Sequence, residues 1–146
     1  MTGFEVGGTY PGTLDEKWRL GIPIKLRDNY QGPLVITLGL QTCAWIMRRE
    51  VWDRMTENLT GSDGLTEEER DHVEFHYVAS QVDVEIDRVG RIVIPQLIRR
   101  YAGLTKDCMI LNLQDRLEVW DEDLLVAQLH ENQAAVKAVV GKKRLR

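Results

Sequence analysis

One phrase occurs twice in this chain, and that repetition limits the folds open to it more than any other feature. Asp15 to Arg27 runs DEKWRLGIPIKLR and Asp87 to Arg99 runs DRVGRIVIPQLIR. A shift of 72 positions superposes Asp, Arg, Ile, Pro and Arg at 15/87, 19/91, 22/94, 23/95 and 27/99, and sets Leu20 on Ile92. Further along, LQTCAWIM (40–47) matches LQDRLEVW (113–120) at an offset of 73, so one residue has been gained or lost between the two matches. Repetition on this scale means two copies of one structural unit. The chain divides into half-domains at 8–59 and 82–134, with an acidic linker and helix over 60–81 and a basic tail over 135–146.

Each unit has a legible order. VDVEID (82–87) alternates apolar and polar residues as a half-buried strand does. RVG supplies a turn in which Gly90 is free to take positive φ. RIVI returns as a second strand, and Pro95 ends it and opens a short helix at its first position. That helix stops at Gly103. CMILNL, a tight turn and LEVW form a second hairpin, after which Asp121 caps a last helix over EDLLVAQLHENQAAVKAV. The first half repeats the order. In the linker, Thr66 and Glu69 have capping-box spacing and predict a helix from Glu67 towards Ser80. The expected class is α+β, with two pseudo-symmetric halves of hairpins and short helices.

A chain of 146 residues, 43% hydrophobic, can bury a true core. Its most apolar stretch, GPLVITLGL, is too short to span a bilayer, and MTGFEVGG lacks the pattern of a leader, so a cytoplasmic protein is expected. Cys43 and Cys108 occupy unmatched places in the repeat and are expected as buried thiols rather than a disulfide. The net charge of −4 argues against a nucleic-acid partner until its distribution is examined. Residues 63–74 hold six acids and one Arg, and 115–123 hold five acids and one Arg. The repeated phrases are instead basic, with Lys17, Arg19, Lys25 and Arg27 in one and Arg88, Arg91, Arg99 and Arg100 in or beside the other.

Catalytic signatures are missing. Ser62 and Ser80 have no nucleophile-elbow context, and there is no phosphate loop, dinucleotide fingerprint or CxxC pair. His72 and His76 stand four apart on the expected linker helix, but a metal would need a third ligand that neighbouring Glu74 does not supply. No enzyme, cofactor or metal site is expected. What remains is Asp15 with Arg19 and Asp87 with Arg91, each spanning a tight turn. Singly, such a pair does no more than stabilise a hairpin. Two copies about a pseudo-two-fold axis present two arginines to a partner with two-fold symmetry of its own, as duplex DNA has.

GTYPGTLDEKWRLGIPIKLR together with DRVGRIVIPQLIRRYAGL resembles the MraZ family, within the wider AbrB-like swapped-hairpin group. The likeness covers Gly8 to about His130. It implies intertwined hairpins forming a swapped-hairpin barrel, assembly into a homo-oligomeric ring, and a nucleoid-associated regulator. It implies binding of duplex DNA at direct repeats in the promoter of its own division and cell-wall gene cluster, with repression the expected outcome. Carried over, Arg19 and Arg91 contact groove or phosphate while Asp15 and Asp87 fix their turns. Lys17 and Arg88 add phosphate neutralisation. For Arg27 and Arg99, DNA contact and an intramolecular salt bridge both stay open. In the family pattern Gly precedes the turn's Arg, yet Trp18 stands there in the first copy. Trp18 either touches DNA or packs on its own sheet or a neighbouring subunit, and packing is the expectation taken. Trp45, Trp52 and Trp120 are expected in the core or at a subunit interface, and the end VVGKKRLR as a disordered electrostatic arm or a solubilising end. The rival function is an oligomeric protein-interaction or antitoxin-like module whose working surface is acidic.

Overall fold

The computed structural model describes residues 5–61 and 64–144. Among these residues eight strands and five α-helices follow the order expected for two copies of one unit. In the first half come β1 (Thr9–Thr13), β2 (Arg19–Gly21), α1 (Ile24–Arg27) with a following 3-10 turn, β3 (Leu34–Leu38), β4 (Ala44–Arg48) and α2 (Arg49–Thr60). α3 (Glu67–Val73) links them to the second half, which holds β5 (Val82–Val84), β6 (Arg91–Val93), α4 (Gln96–Ala102), β7 (Asp107–Asn112), β8 (Leu117–Trp120) and α5 (Glu122–Arg144).

Strand pairing exchanges the first strand of each half. β1 lies antiparallel on β7 of the second half, and β5 lies on β3 of the first. The two hairpins join through β4 and β8, which completes a six-stranded sheet in the order β1-β7-β8-β4-β3-β5. A separate two-stranded ribbon pairs β2 with β6. The two cross-repeat pairings that join equivalent strands also centre on equivalent residues: Leu20 faces Ile92 in the ribbon, and Trp45 faces Glu118 between β4 and β8. One pseudo-two-fold axis therefore passes through both pairs.

Alternation along the central strands divides the core between the two faces of the sheet. Ala44, Ile46, Leu117 and Val119 point to one face, where they meet Leu20, Ile22, Ile92 and Ile94 of the ribbon segments and Leu26 and Ile98 of the short helices. Val35, Met47, Trp45 and Trp120 point to the other, beneath Trp52 of α2, Tyr77 and Leu125 of α5. The tryptophans expected in the core are there, at 6%, 1% and 3% exposure for Trp45, Trp52 and Trp120. Both cysteines are buried and free. The ribbon and its turns thus occupy one side of the molecule, and the long helices occupy the other.

Local expectations are met or corrected residue by residue. Gly90 takes φ +97° and Gly103 closes α4 at φ +66°. Pro95 does not open α4 at its first position: it stands just outside with ψ 150°, and the helix begins at Gln96. The capping box is formed, with Thr66 N–H to Glu69 Oε1 at 2.8 Å and Glu69 N–H to Thr66 Oγ1 at 3.1 Å. The helix it opens does not continue uniformly to Ser80. From Glu74 to Val78 it widens into a π turn, which stacks Tyr77 on Trp45 at 5.5 Å between ring centroids. The change of pitch also removes His76 from the phase of His72, and its Nε2 lies 2.7 Å from the carbonyl oxygen of Gly39. Among the described residues no three His, Cys, Asp or Glu converge as a metal site would require.

The C-terminal end differs most. α5 continues past the expected end through Gly141 to Arg144, so residues 140–144 extend the helix and are not a disordered arm; Leu145 and Arg146 lie outside the described residues. Its Ala- and Lys-rich sequence favours helix, and cations in the final turns suit the helix dipole. After Leu125, no residue as far as Lys143 is buried. No described helix is long and apolar enough to cross a membrane.

Candidate nucleic-acid interface

The two turns are near-copies in atomic detail. In the first, the Trp18 N–H donates to the Asp15 carbonyl at 2.9 Å and the Asp15 N–H donates to the Arg19 carbonyl at 3.0 Å. In the second, Gly90 and Asp87 make the same bonds to Asp87 and Arg91, at 3.0 and 2.9 Å. The residue before Arg turns left-handed, the geometry of a three-residue hairpin loop with a bulge. Asp15 Oδ1 accepts the N–H groups of Lys17 and Arg19, both at 2.9 Å, and Asp87 Oδ1 accepts those of Val89 and Arg91, both at 2.9 Å. The other carboxylate oxygen takes the Arg side chain: Arg19 Nε at 2.7 Å from Asp15, Arg91 Nε at 3.1 Å from Asp87. Hydrogen bonds from the Arg19 and Arg91 backbones, foremost among several causes, hold both carboxyls below the usual carboxylate range.

Ion pairs this exposed contribute little stability. Their use is orientation. Asp15 engages Arg19 only through Nε and backbone, so among the described residues the two terminal amino groups of Arg19 have no intramolecular acceptor. A guanidinium pinned at Nε and open at its fork is suited to a phosphate or a guanine edge. Arg19 and Arg91 also share a face of the ribbon, because Leu20 and Ile92 between them point into the core. Lys17 and Arg88 are exposed at the turn tips. The two Asp, the two Arg and the two tip cations singled out in the sequence thus all stand at the two turns.

Among the described residues Arg27 and Arg99 make no carboxylate salt bridge, one of their two expected roles. Arg27 Nε donates to the Ile22 carbonyl at 2.7 Å, and Arg99 Nη1 donates to the Ile94 carbonyl at 2.9 Å. Each then crosses to the opposite repeat. Arg27 lies over Gly90, where an added Cβ would stand 2.2 Å from its guanidinium carbon. Arg99 stacks on the indole of Trp18, its guanidinium carbon 4.1 Å from the ring centroid. Desolvation there lowers the Arg99 pKa. Backbone bonds tie the same partners together: Ile22 N–H to the Gly90 carbonyl at 2.8 Å, and Ile94 N–H to the Trp18 carbonyl at 2.9 Å.

Trp18 thus has the Arg99 guanidinium against its ring. It holds φ +60° and remains 41% exposed. A left-handed corner costs an ordinary L-residue about 1–2 kcal/mol. A guanidinium–indole stack contributes about 0.5–2 kcal/mol depending on its desolvation. The two effects are of one size, so the Arg99 stack offsets the strain of the corner. No sequence signal pointed to these cross-repeat seats, since each joins residues far apart in the chain.

Beneath the site, on the pseudo-axis, sequence reading also missed a buried carboxylate. Glu118, 4% exposed, accepts Trp45 Nε1 at 3.0 Å, Trp120 Nε1 at 2.9 Å and Arg116 Nε at 2.8 Å. Arg116 is itself stacked over Trp45 at 4.5 Å. This network ties the two hairpins together at the centre of the sheet.

Comparison with known proteins places the chain among close counterparts. The family model described as "MraZ protein, putative antitoxin-like" matches residues 6–75 and 78–141. A Treponema pallidum protein named "Transcriptional regulator MraZ" is 37% identical over 132 residues, covering 90% of this chain and 89% of its own length. Proteins of the same name from Treponema denticola and Frankia alni are 38% and 36% identical, over 78% and 86% of this chain and 80% and 87% of their own. All three carry the name of regulators rather than enzymes.

Proposed function

The chain belongs to the MraZ family of transcriptional regulators, and on that premise we propose that it regulates transcription by binding duplex DNA through its two Asp-x-x-x-Arg turns. One observation carries the reading: Arg19 and Arg91 are anchored through Nε by their own turn carboxylates and stand on one face of one ribbon. Asp15 and Asp87 fix these arginines, and Lys17, Arg88, Arg27 and Arg99 surround them with positive charge. The pseudo-two-fold relation of the turns suits the two strands of a duplex.

The DNA is a set of direct repeats in the promoter of its own division and cell-wall gene cluster, and the outcome is repression. The protein acts in the cytoplasm, at the nucleoid, without cofactor or metal. It works as a homo-oligomeric ring, in which several modest contacts combine through avidity. Support for assembly comes from α5, where Val126, Leu129, Val136, Val139 and Val140 are all 46–60% exposed. The test is binding of the gene's upstream fragment against a scrambled fragment across a salt titration. Arg19→Ala and Arg91→Ala are expected to abolish specific binding while leaving melting temperature and oligomer size unchanged. Normal binding by both variants would overturn the assignment.

A second reading, a module that covers a protein partner, draws on the antitoxin-like description of the family model and on the acidic first turn of α3, Glu67, Glu68 and Glu69. The other acidic stretch serves it less well, because Glu118 is buried. Co-purification of a basic partner without salt-sensitive DNA binding would put this reading first.

A further inference from the structure

The two turns share a backbone but not a surface. At the tip of the first stand Glu16, Lys17 and Trp18; at the equivalent places of the second stand Arg88, Val89 and Gly90. The helix arginines that reach these corners are committed differently. Arg27 uses Nε for its backbone bond, and among the described residues its terminal amino groups have no acceptor. Arg99 uses a terminal nitrogen for that bond and gives the face of its guanidinium to the indole. Arg27 therefore keeps the fork that grips a phosphate, whereas Arg99 has lost half of its fork and lies against an aromatic ring. At the first tip the charge of Lys17 is offset by Glu16, whereas Arg88 at the second tip stands beside the uncharged Val89 and Gly90. Trp18 also lines an open groove of about 650 Å³ with Leu14, Leu104 and Lys106, so its surroundings are partly apolar.

From these differences we infer that Trp18 is a specificity-determining residue that makes the two turns unlike readers of DNA. The first turn contacts the one apolar group on a base edge, the 5-methyl of thymine, through an indole braced by Arg99. The second turn grips phosphate through Arg88 and Arg27. This rests on the DNA-binding reading and gives each turn a separate task. A repeat unit bound in this way has a direction, since its two halves are met by different chemistry.

The experiment begins with selection of the preferred duplex from a random library by the wild-type protein. Each thymine in it is then replaced singly by uracil, which deletes only the methyl group. The wild type is expected to lose about fourfold in affinity at one position per repeat, the worth of one methyl-sized group removed from contact. Trp18→Gly should bind thymine and uracil duplexes alike at that position, and Trp18→Phe should keep part of the discrimination. In salt titrations Arg27→Ala should reduce the slope of log K against log salt by about 0.9, the effect of one phosphate contact, while Arg99→Ala leaves the slope unchanged. Melting temperatures establish that each variant is folded. Equal discrimination by wild type and Trp18→Gly, or no methyl-sensitive position at all, would overturn the inference. Arg19→Ala and Arg91→Ala are run alongside: if they bind normally the parent reading fails, and if they lose binding while Trp18→Gly behaves as wild type, only the division of tasks fails.

Discussion

Arg91 Nη1 lies 3.9 Å from Asp15 Oδ2, the same oxygen that takes Arg19 Nε at 2.7 Å. The first carboxylate therefore serves both repeats, and Asp87 serves its own turn. The two turns are symmetric in backbone and asymmetric in charge coupling. Asp15→Asn is expected to reduce specific DNA affinity more than Asp87→Asn does, because it loosens two arginines instead of one. Anisotropy titrations of the two single variants on one duplex measure the difference, and equal losses would contradict a shared role for Asp15.

Acid should open both turns. The folded carboxyls of Asp15 and Asp87 sit below their ordinary value, so the stability they contribute is fully present above the unfolded pKa of about 3.9 and is lost as pH falls through the lower folded value. The Asp15→Asn/Asp87→Asn protein lacks this dependence. Its stability deficit against wild type, measured by urea denaturation, is expected to be largest near neutral pH and to shrink steadily below pH ~4.

Trp18→Gly should be close to silent in stability. Relief of the left-handed corner gains about 1–2 kcal/mol, while loss of the Arg99 stack costs about 0.5–2 kcal/mol. The freer unfolded chain that Gly allows costs about 0.4–1 kcal/mol more. A net change within about 1 kcal/mol in denaturant unfolding is expected, which is what makes the variant a clean probe of recognition.

Glu118→Ala is expected to be among the most damaging substitutions in the chain. It strips the acceptor from Trp45, Trp120 and Arg116 at a site only 4% exposed. Removing one partner of a buried ionic network costs about 3–5 kcal/mol. Glu118→Gln retains one oxygen and should lose less. Chemical denaturation followed by tryptophan fluorescence reports both the loss and the altered indole environment.

Neither thiol should react while the protein is folded. Burial raises Cys108 to about 11 and, with the carboxylate of Glu118 nearby, pushes the Cys43 thiol up further. A disulfide reagent at pH ~8, near the ordinary thiol pKa of about 8.5, is expected to modify no cysteine in native protein and both after unfolding in guanidinium chloride. Rapid modification of native protein would show that one side of the sheet opens.

Much of this architecture is written in the sequence because the repeat states it twice. The duplicated Asp and Arg gave the turns, the order of elements along the chain and the position of the arginines, and Gly90 gave its corner. Other features are hidden for physical reasons. The π turn at Glu74–Val78, which carries the Tyr77 that stacks on Trp45, has no compositional mark. Gly141 looks like a helix stop, but a glycine within good helix formers is tolerated, and α5 runs through it. Glu118 has the pattern of a surface acid beside Asp115 and Asp121; it is buried where Trp45 of β4 meets Trp120 and Arg116 of its own hairpin, and all three donate to its carboxylate. The seats of Arg27 on Gly90 and Arg99 on Trp18 are joined by strand exchange between the halves, which local pattern cannot show.

The Trp45–Glu118 pair on the pseudo-axis has a meaning for inheritance. In an assembly of two identical chains, whatever stands on the symmetry axis must face its own duplicate. An indole would meet an indole, or a carboxylate would be forced against another carboxylate. Covalent joining of two copies releases that position from self-complementarity, and here it holds a hydrogen-bond donor against an acceptor 3.0 Å away. A pair of this kind can be encoded only after the two halves have become separately mutable, so it is a product of the repeat and not of a symmetric pair of identical chains. The same liberty let one turn acquire Trp18 while the other kept Gly90. A molecule that retains the outline of a symmetric dimer has become, at its centre and at its tips, a single polypeptide with two different ends.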